Sequence, residues 1–504
     1  MSIRRGTRFI GTTIMVLLLA ATQVQAQATD SDIETRIFEL EQQLILLKRQ
    51  LETQVKQAQQ AADKAAASAD AGGVTVKMKG PTPEFQTADG ASTMKITGRI
   101  HYDTALYNQD GVGSGEQDVR IDPDASSGTN FRRARIGVTG KIENDWQYLL
   151  MLDSGGAPDN NAFLYEGLIS YVGLRPLAIN LGRHKAATGF NERISSNDIS
   201  FIERSLGHTV ASGPFTRPAN GLSVNAHGEQ WYVDTGIWYG AINDDAGDDF
   251  LFWNGRTAFA PINDKRIMLH FGTHASWMIE PQQVAAGTTV TWRDNPELRV
   301  DGTRWVSATS NTSPANGIRN DDAWSYGLEA AAKYESVWLN GEINWFGMDQ
   351  ISDPAEHFAD NLPDLEYMGY YIQGGWIITG ESKGYNMSKA AWSGVRPAEP
   401  FNLGSGGPGA WELAFRYSYV DLDDEVNTFL NDSNGTSWLV GTRGGRETNF
   451  TLGVNWYINT YIRFMFNYIH ADVDRTTAGD QPGAGGLATG DSFDMLGLRA
   501  QVKW

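Results

Sequence analysis

The chain has 504 residues, no cysteine and a net charge of −19, with 60 acids against 41 bases. So acidic a chain argues against nucleic acid as a ligand, and the missing thiols exclude a disulfide framework or a thiolate metal site. No long apolar stretch lies outside the N-terminus.

At that N-terminus Arg4, Arg5 and Arg8 precede an apolar run from Ile14 to Ala21, and small residues follow at Ala26 and Ala28. The run is too short to span a bilayer, so residues 1–26 read as a cleavable secretory signal, cut after 26 or 28. Its loss removes three Arg and no acid, leaving a charge of −22. Secretion without cysteine suits a bacterial envelope protein.

Ile33, Ile37, Leu40, Leu44, Leu47 and Leu51 are spaced 4, 3, 4, 3, 4, the seam of a heptad repeat. The spacing predicts a short coiled coil over 31–66; a lone amphipathic helix lying on a partner surface is the alternative. Residues 67–92, with Gly72-Gly73 and Gly80-Pro-Thr-Pro83, read as a linker, and 93–504 as the main domain.

That domain repeats a two-residue period. At its end Leu496, Leu498, Ala500, Val502 and Trp504 alternate with Gly497, Arg499, Gln501 and Lys503. About sixteen such segments occur, each apolar on one side and polar on the other. Joins after even strands are tight, as at Asn144-Asp145 and Asn459-Thr460, whereas joins after odd strands are long, as at 108–129 and 185–220. A soluble sandwich has no reason to sort its loops by parity; a membrane barrel does. The expectation is therefore an all-β fold, a 16-stranded antiparallel transmembrane β-barrel carrying an N-terminal periplasmic α-helical coiled coil. The join at 381–408 breaks the parity rule. Trp146, Trp231, Trp277, Trp338, Trp345 and Trp376 fall near strand ends and suit interfacial girdles.

Extending the alternation puts Lys95, Arg99, Arg133, Arg135, Lys141, Arg256, Lys333, Arg416, Arg463, Arg499 and Lys503 on the lumen face. Against them stand only Asp103, Asp153, Glu166, Asp234, Glu329, Glu342 and Glu412. The remaining acids crowd into expected outer loops, as at Asp244-Asp245, Asp248-Asp249 and 421–425. A basic lumen inside an acidic protein favours anions, and Arg grips phosphate through two parallel hydrogen bonds. The alternative is a general pore whose charges merely pair across the lumen.

Several spaced segments resemble the phosphate-selective porins O and P: Phe131-Arg-Arg-Ala-Arg-Ile-Gly-Val-Thr-Gly140, Leu181-Gly-Arg-His-Lys185, Ser195-Ser-Asn197, Phe201-Ile-Glu-Arg-Ser205 and Gly409-Ala-Trp-Glu-Leu-Ala-Phe-Arg-Tyr417. The resemblance runs from about residue 93 to the C-terminus. It implies a homotrimer in the outer membrane, a long join before the Gly-Ala-Trp-Glu strand, and a loop at 185–220 folded inward as a constriction. It further implies Arg133, Ser195, Ser196 and Arg204 at that constriction, with Arg99 and Glu166 as weaker correspondences. The family has a Lys just before its Thr-Ser-Ser; here Glu192-Arg193-Ile194 precedes Ser195, so Arg193 is the residue available to supply that charge. Arg204 has a second reading, a salt bridge to Glu203 or another loop acid. Trp504 replaces the family's usual Phe, and recognition by the barrel assembly machinery is expected to survive.

No compact Ser, His and Asp arrangement with a local signature is evident, and no enzyme is expected. His270 and His274 share one strand face with no third ligand evident, so no metal and no cofactor are expected. The reading is a diffusion porin for small anions, phosphate or polyphosphate. The rivals are a non-specific porin, a porin for another solute, or an envelope-tethering protein whose coiled coil contacts periplasmic partners or the cell wall.

Overall fold

The computed structural model describes residues 30–69, 73–109, 125–156, 163–240, 250–281, 283–284, 287–293, 297–308, 318–351, 362–404, 406–431, 437–476 and 488–504. The chain divides into two units, Met1–Val74 and Thr75–Trp504. The expected signal lies outside the described residues, as do Asp244-Asp245 and Asp248-Asp249.

The first unit holds one 40-residue helix, α1 (Asp30–Ala69). At 1.5 Å per residue it is about 60 Å long. Its seam residues Leu40, Leu44, Leu47 and Leu51 are all exposed.

In the second unit, sixteen strands form the barrel. They are β1 (Thr93–Gln109), β2 (Gly128–Ile142), β3 (Trp146–Asp153), β4 (Phe163–Tyr171), β5 (Leu177–His184), β6 (Ala219–His227), β7 (Trp231–Tyr239) and β8 (Leu251–Asn263). Then come β9 (Ile267–Glu280), β10 (Ile318–Tyr334), β11 (Val337–Gln350), β12 (Leu365–Ile377), β13 (Ala410–Asp424), β14 (Thr442–Tyr457), β15 (Ile462–Thr476) and β16 (Ala488–Lys503). Each pairs antiparallel with the next, and β16 returns to β1 with Leu496 opposite Leu106 and Lys503 opposite Arg99. The sheet has no free edge in its ring, which excludes the sandwich. Part of the stretch read as a linker is extended as well. Val74–Lys79 and Thr82–Thr87 are strands, and the second continues the sheet onto β1 through Glu84↔Lys95. Pro81 and Pro83 hide this in the sequence, since Pro punctuates loops far more often than strands.

Outside, Leu106, Ile136, Phe271, Leu413, Phe450, Leu452 and Leu498 are exposed; inside, Asp103, Arg133, Arg256, Glu412, Arg416 and Arg499 are buried. This is the pattern of a barrel solvated by lipid and filled with polar groups. Trp146, Trp231, Trp277 and Trp376 are exposed, as a girdle requires. Trp338 is not: it shares the inward face with Asn340 and Glu342 and donates to Glu412 at 2.8 Å.

Beyond the lipid the alternation inverts. In β15, Phe464 and Phe466 face out, but further along Ile469, Ala471 and Val473 are buried while His470 and Asp472 face outward. The inward apolar ends of many strands pack on entering segments at 185–218, 287–293 and 297–308, through Ile202, Leu206, Phe215, Trp292, Leu298 and Trp305. For this reason several strands run longer than the sequence pattern suggests, β14 starting at Thr442 and β13 carrying Asp421 to Asp424 within the strand rather than in a loop.

The parity exception also has a structure. The long join after β12 enters the lumen from the rim of tight turns: Tyr385 meets His270 at 2.7 Å, Trp392 donates to Asn340 at 2.9 Å, and Lys389 and Ala390 carbonyls accept from Arg256. Finally, the barrel wall is uneven. Strands β3 to β7 have 8 or 9 residues, while the other eleven have 13 to 17.

Candidate functional site

A cavity of about 730 Å³ lies between the wall around β2 to β7 and the segment 185–218. Its lining holds nine Arg and two Lys against five acids among the described residues. All seven constriction residues expected from the sequence, Arg99, Arg133, Glu166, Arg193, Ser195, Ser196 and Arg204, border it. Arg135 of the expected basic face joins them.

The loop reaches this position through carboxylates and carbonyls. Arg204 donates to the carbonyls of Asn191 at 3.0 Å, Glu192 at 3.2 Å and Ile194 at 2.8 Å, and pairs with Glu192 at 3.0 Å. It therefore staples the loop to itself, and Lys185 completes the cluster on Glu192. Burial raises the Glu192 carboxyl, but Arg204 and Lys185 outweigh burial and hold it at about 2.

Glu203 is the second anchor. It receives Arg132 at 3.0 Å, Arg133 at 3.2 Å and Arg499 at 2.8 Å. Burial opposes its charge, yet the three guanidiniums keep the carboxyl well below its ordinary range. Arg132 and Arg133 both reach it because the β1–β2 register shifts between His101 and Tyr102. At a bulge two residues oppose one, so adjacent side chains escape strict alternation.

Much of the expected basic face thus holds the filling in place. Arg499 clamps Asp103 through two bonds of 2.6 Å, Arg463 donates to the Ile199 carbonyl at 2.8 Å, and Lys503 pairs with Asp198 at 2.9 Å. Arg416 binds Glu297 of the segment 297–308, Arg256 binds Glu329 at 2.6 Å, and Arg135 binds Asp153 at 2.6 Å. Lys95, Lys141 and Lys333 lie outside the cavity lining.

What remains is a small set without carboxylate partners. Arg99 donates to Ser196 Oγ at 2.7 Å and forms no ion pair, and Arg193 forms neither a side-chain hydrogen bond nor an ion pair among the described residues. Arg217 at the end of the loop and Lys389 from the join after β12 face the same space. Sequence reasoning missed Lys389, because that join was only an exception to a parity rule. It also missed Arg132, whose signal was two adjacent Arg in an alternating strand.

The model for "Phosphate-selective porin O and P" matches residues 94–504. Porin O of Pseudomonas aeruginosa is 27% identical over 431 residues, covering 82% of this chain and 90% of that protein. An uncharacterised protein of Caulobacter vibrioides is 24% identical over 405 residues, 77% of this chain and 70% of its own. Among solved structures, the anion-selective porin from Comamonas acidovorans aligns with a TM-score of 0.47 at 12% identity, over 82% of this chain and all of that one. A ring of sixteen strands with an apolar exterior and a polar filling, matched along its whole length, makes this chain an outer-membrane porin of the phosphate-selective porin O and P family.

Proposed function

We propose that the barrel passes small anions by diffusion and that phosphate or polyphosphate is its preferred cargo. One observation carries this reading: in a chain with 60 acids and 41 bases, the cavity gathers eleven bases and five acids. Five of those bases, Arg132, Arg133, Arg135, Lys185 and Arg204, are committed to carboxylates, and Arg99, Arg193, Arg217 and Lys389 stand over for a ligand. Arg193 takes the place of the family's Lys before Ser195. A planar guanidinium fork offers an anion two parallel charge-assisted bonds, and the Ser195 and Ser196 hydroxyls replace part of its water. Few uncommitted cations also keep the site weak enough for release, which throughput requires. On this reading the chain acts as a channel.

Planar-bilayer recording tests the reading. Under a potassium chloride gradient the reversal potential should report chloride as the favoured ion, and added phosphate should block the chloride current. A potassium preference, or a chloride current indifferent to phosphate, would end it.

The low wall supports a homotrimer. Strands of 8 or 9 residues at about 3.3 Å per residue, tilted about 40°, rise only ~20–23 Å, short of the ~25 Å apolar band. Burying that wall against sister barrels relieves the mismatch. The exposed seam of α1 suits the same symmetry: three copies in parallel would bury Leu40, Leu44, Leu47 and Leu51 in a periplasmic coiled coil, after the N-terminal signal is removed and Trp504 has been read by the assembly machinery. A peptide spanning 29–72 should sediment as a helical oligomer, and Leu47→Asp should leave it monomeric and largely unfolded. A monomeric wild-type peptide would instead assign the seam to another periplasmic partner or the cell wall.

A further inference from the structure

His270 and His274 gain neighbours that only strand register supplies. Gly272, between them on β9, lies opposite Glu329 of β10, and Glu329 lies opposite Glu342 of β11. Gly272 has no side chain, and a Cβ there would collide with the Glu329 carboxylate. Donor atoms of His274, Glu329 and Glu342 lie within 4.8 Å of one another, and all three residues are buried. From the constriction loop, His208 of the short helix α2 (Leu206–Ala211) brings Nδ1 to 3.1 Å from Glu342 Oε2.

The proton inventory of these imidazoles leaves a cation missing. Ser212 Oγ donates its single hydrogen to the His208 carbonyl at 2.6 Å, so toward His208 Nε2 at 3.3 Å it only accepts. Nε2 therefore carries the ring proton, and the Nδ1 lone pair points at a carboxylate unless a second proton or a metal lies between them. The same commitment of its hydrogen disarms Ser212 as a nucleophile, although hydroxyl, imidazole and carboxylate stand in the order of a hydrolytic relay. His274 repeats the pattern. Its Nε2 meets Asn344 Oδ1 at 3.0 Å, and its Nδ1, buried and without a hydrogen-bond partner, faces Glu329 Oε2 at 3.6 Å. That gap is too long for a hydrogen bond. It matches the edge of a tetrahedron with metal–ligand bonds of about 2.1 Å, which is ~3.4 Å. His270, by contrast, is satisfied, with Nδ1 on the Tyr385 hydroxyl and Nε2 at 2.9 Å from Glu329 Oε1.

We propose that His274 Nδ1, Glu329, Glu342 and His208 Nδ1 form a site for a zinc-class divalent cation that latches the constriction loop to the barrel wall. Three ligands belong to adjacent strands and one to the loop, so occupancy fixes the loop's position. His274, Glu329 and Glu342 already stand together, and His208, outside that group but 3.1 Å from Glu342, closes the set as the cation binds; two nitrogens and two carboxylate oxygens, all from buried residues, suit Zn²⁺ better than Mg²⁺ or Ca²⁺, which prefer oxygen alone. Asn344 and His270 act as the outer partners that orient the ligands. Gly189 lets the loop backbone lie on the cluster: its φ is +136°, and a Cβ there would come within 2.5 Å of Glu342 Oε1 and 3.0 Å of His274 Cε1.

The test is metal content of the full-length protein, purified from membranes without chelator and then titrated with Zn²⁺ after chelator treatment. About one Zn²⁺ per chain is expected, with His274→Gln and His208→Asn each weakening zinc binding at least ~10-fold, since even outer partners carry that much. Both variants keep the Arg256–Glu329 pair, and His227→Ala at an exposed strand position should bind zinc as the wild type does. Chelation should also make the 185–218 segment more open to proteolysis, and zinc should restore its protection. Equal zinc content in wild type and both variants would overturn the site. So would protection that ignores chelators and zinc but fades as pH rises through the histidine range, which would assign the position to a proton.

Discussion

Arg193→Ala should raise the phosphate concentration that half-blocks the chloride current by roughly 10- to 100-fold. Removing one charge-assisted hydrogen bond to a bound anion costs about 1.5–3 kcal/mol. Arg193 has nothing else to do in the structure: it forms no side-chain hydrogen bond or ion pair among the described residues, and its Nε is buried at the cavity edge. The loop should therefore stay where it is, and single-channel conductance in plain chloride should change far less than the block. Arg204→Ala is the contrasting case. It releases three carbonyls and Glu192, so its signature should be altered conductance and a noisier open state. An unchanged half-block in Arg193→Ala would remove that residue from the anion's path.

Glu203→Gln should loosen the constriction loop by ~3–5 kcal/mol, the usual cost of stripping one side from a buried ion pair. Arg132, Arg133 and Arg499 would then face one another with no carboxylate between them. The strand ladder does not depend on Glu203, so the barrel should still resist detergent, while the 185–218 segment becomes protease-sensitive and the channel conducts more. The pH dependence has a definite sign. A carboxyl held well below 4.5 gives its full contribution above that value and loses it only as pH falls through the depressed one. Wild-type protein should thus keep the segment protected throughout pH 4.5–8, and the variant should leave it open across the same range. Equal protection in the two proteins would show that Arg416, which binds the Glu203 carbonyl at 3.0 Å, is anchor enough.

The membrane-facing half of each strand was legible because lipid and lumen impose opposite chemistry on alternate residues. Phe450, Leu452, Val454 and Trp456 declare themselves in sequence for that reason. The outer ends did not, since Ile469 and Val473 of β15 turn inward to an apolar filling and His470 turns outward to water. A pattern that reverses within one strand reads as its end. At the cavity, resemblance named residues that border one space, but which were free and which were tied lay in tertiary pairings. Arg204 and Arg193 are both loop arginines, and only the fold shows that Glu192 belongs to the first. His274 lacked partners in sequence because Glu329 and Glu342 arrive from two other strands.

Arg499 carries one more consequence, for the order of assembly. It belongs to the final strand, grips Asp103 on the first, and also holds Glu203 of the loop. The loop's anchor is therefore incomplete until the two ends of the sheet have met. Before closure Glu203 lacks one of its three guanidiniums, and only the meeting of the first and last strands supplies it. Closure and narrowing become successive events joined by one guanidinium.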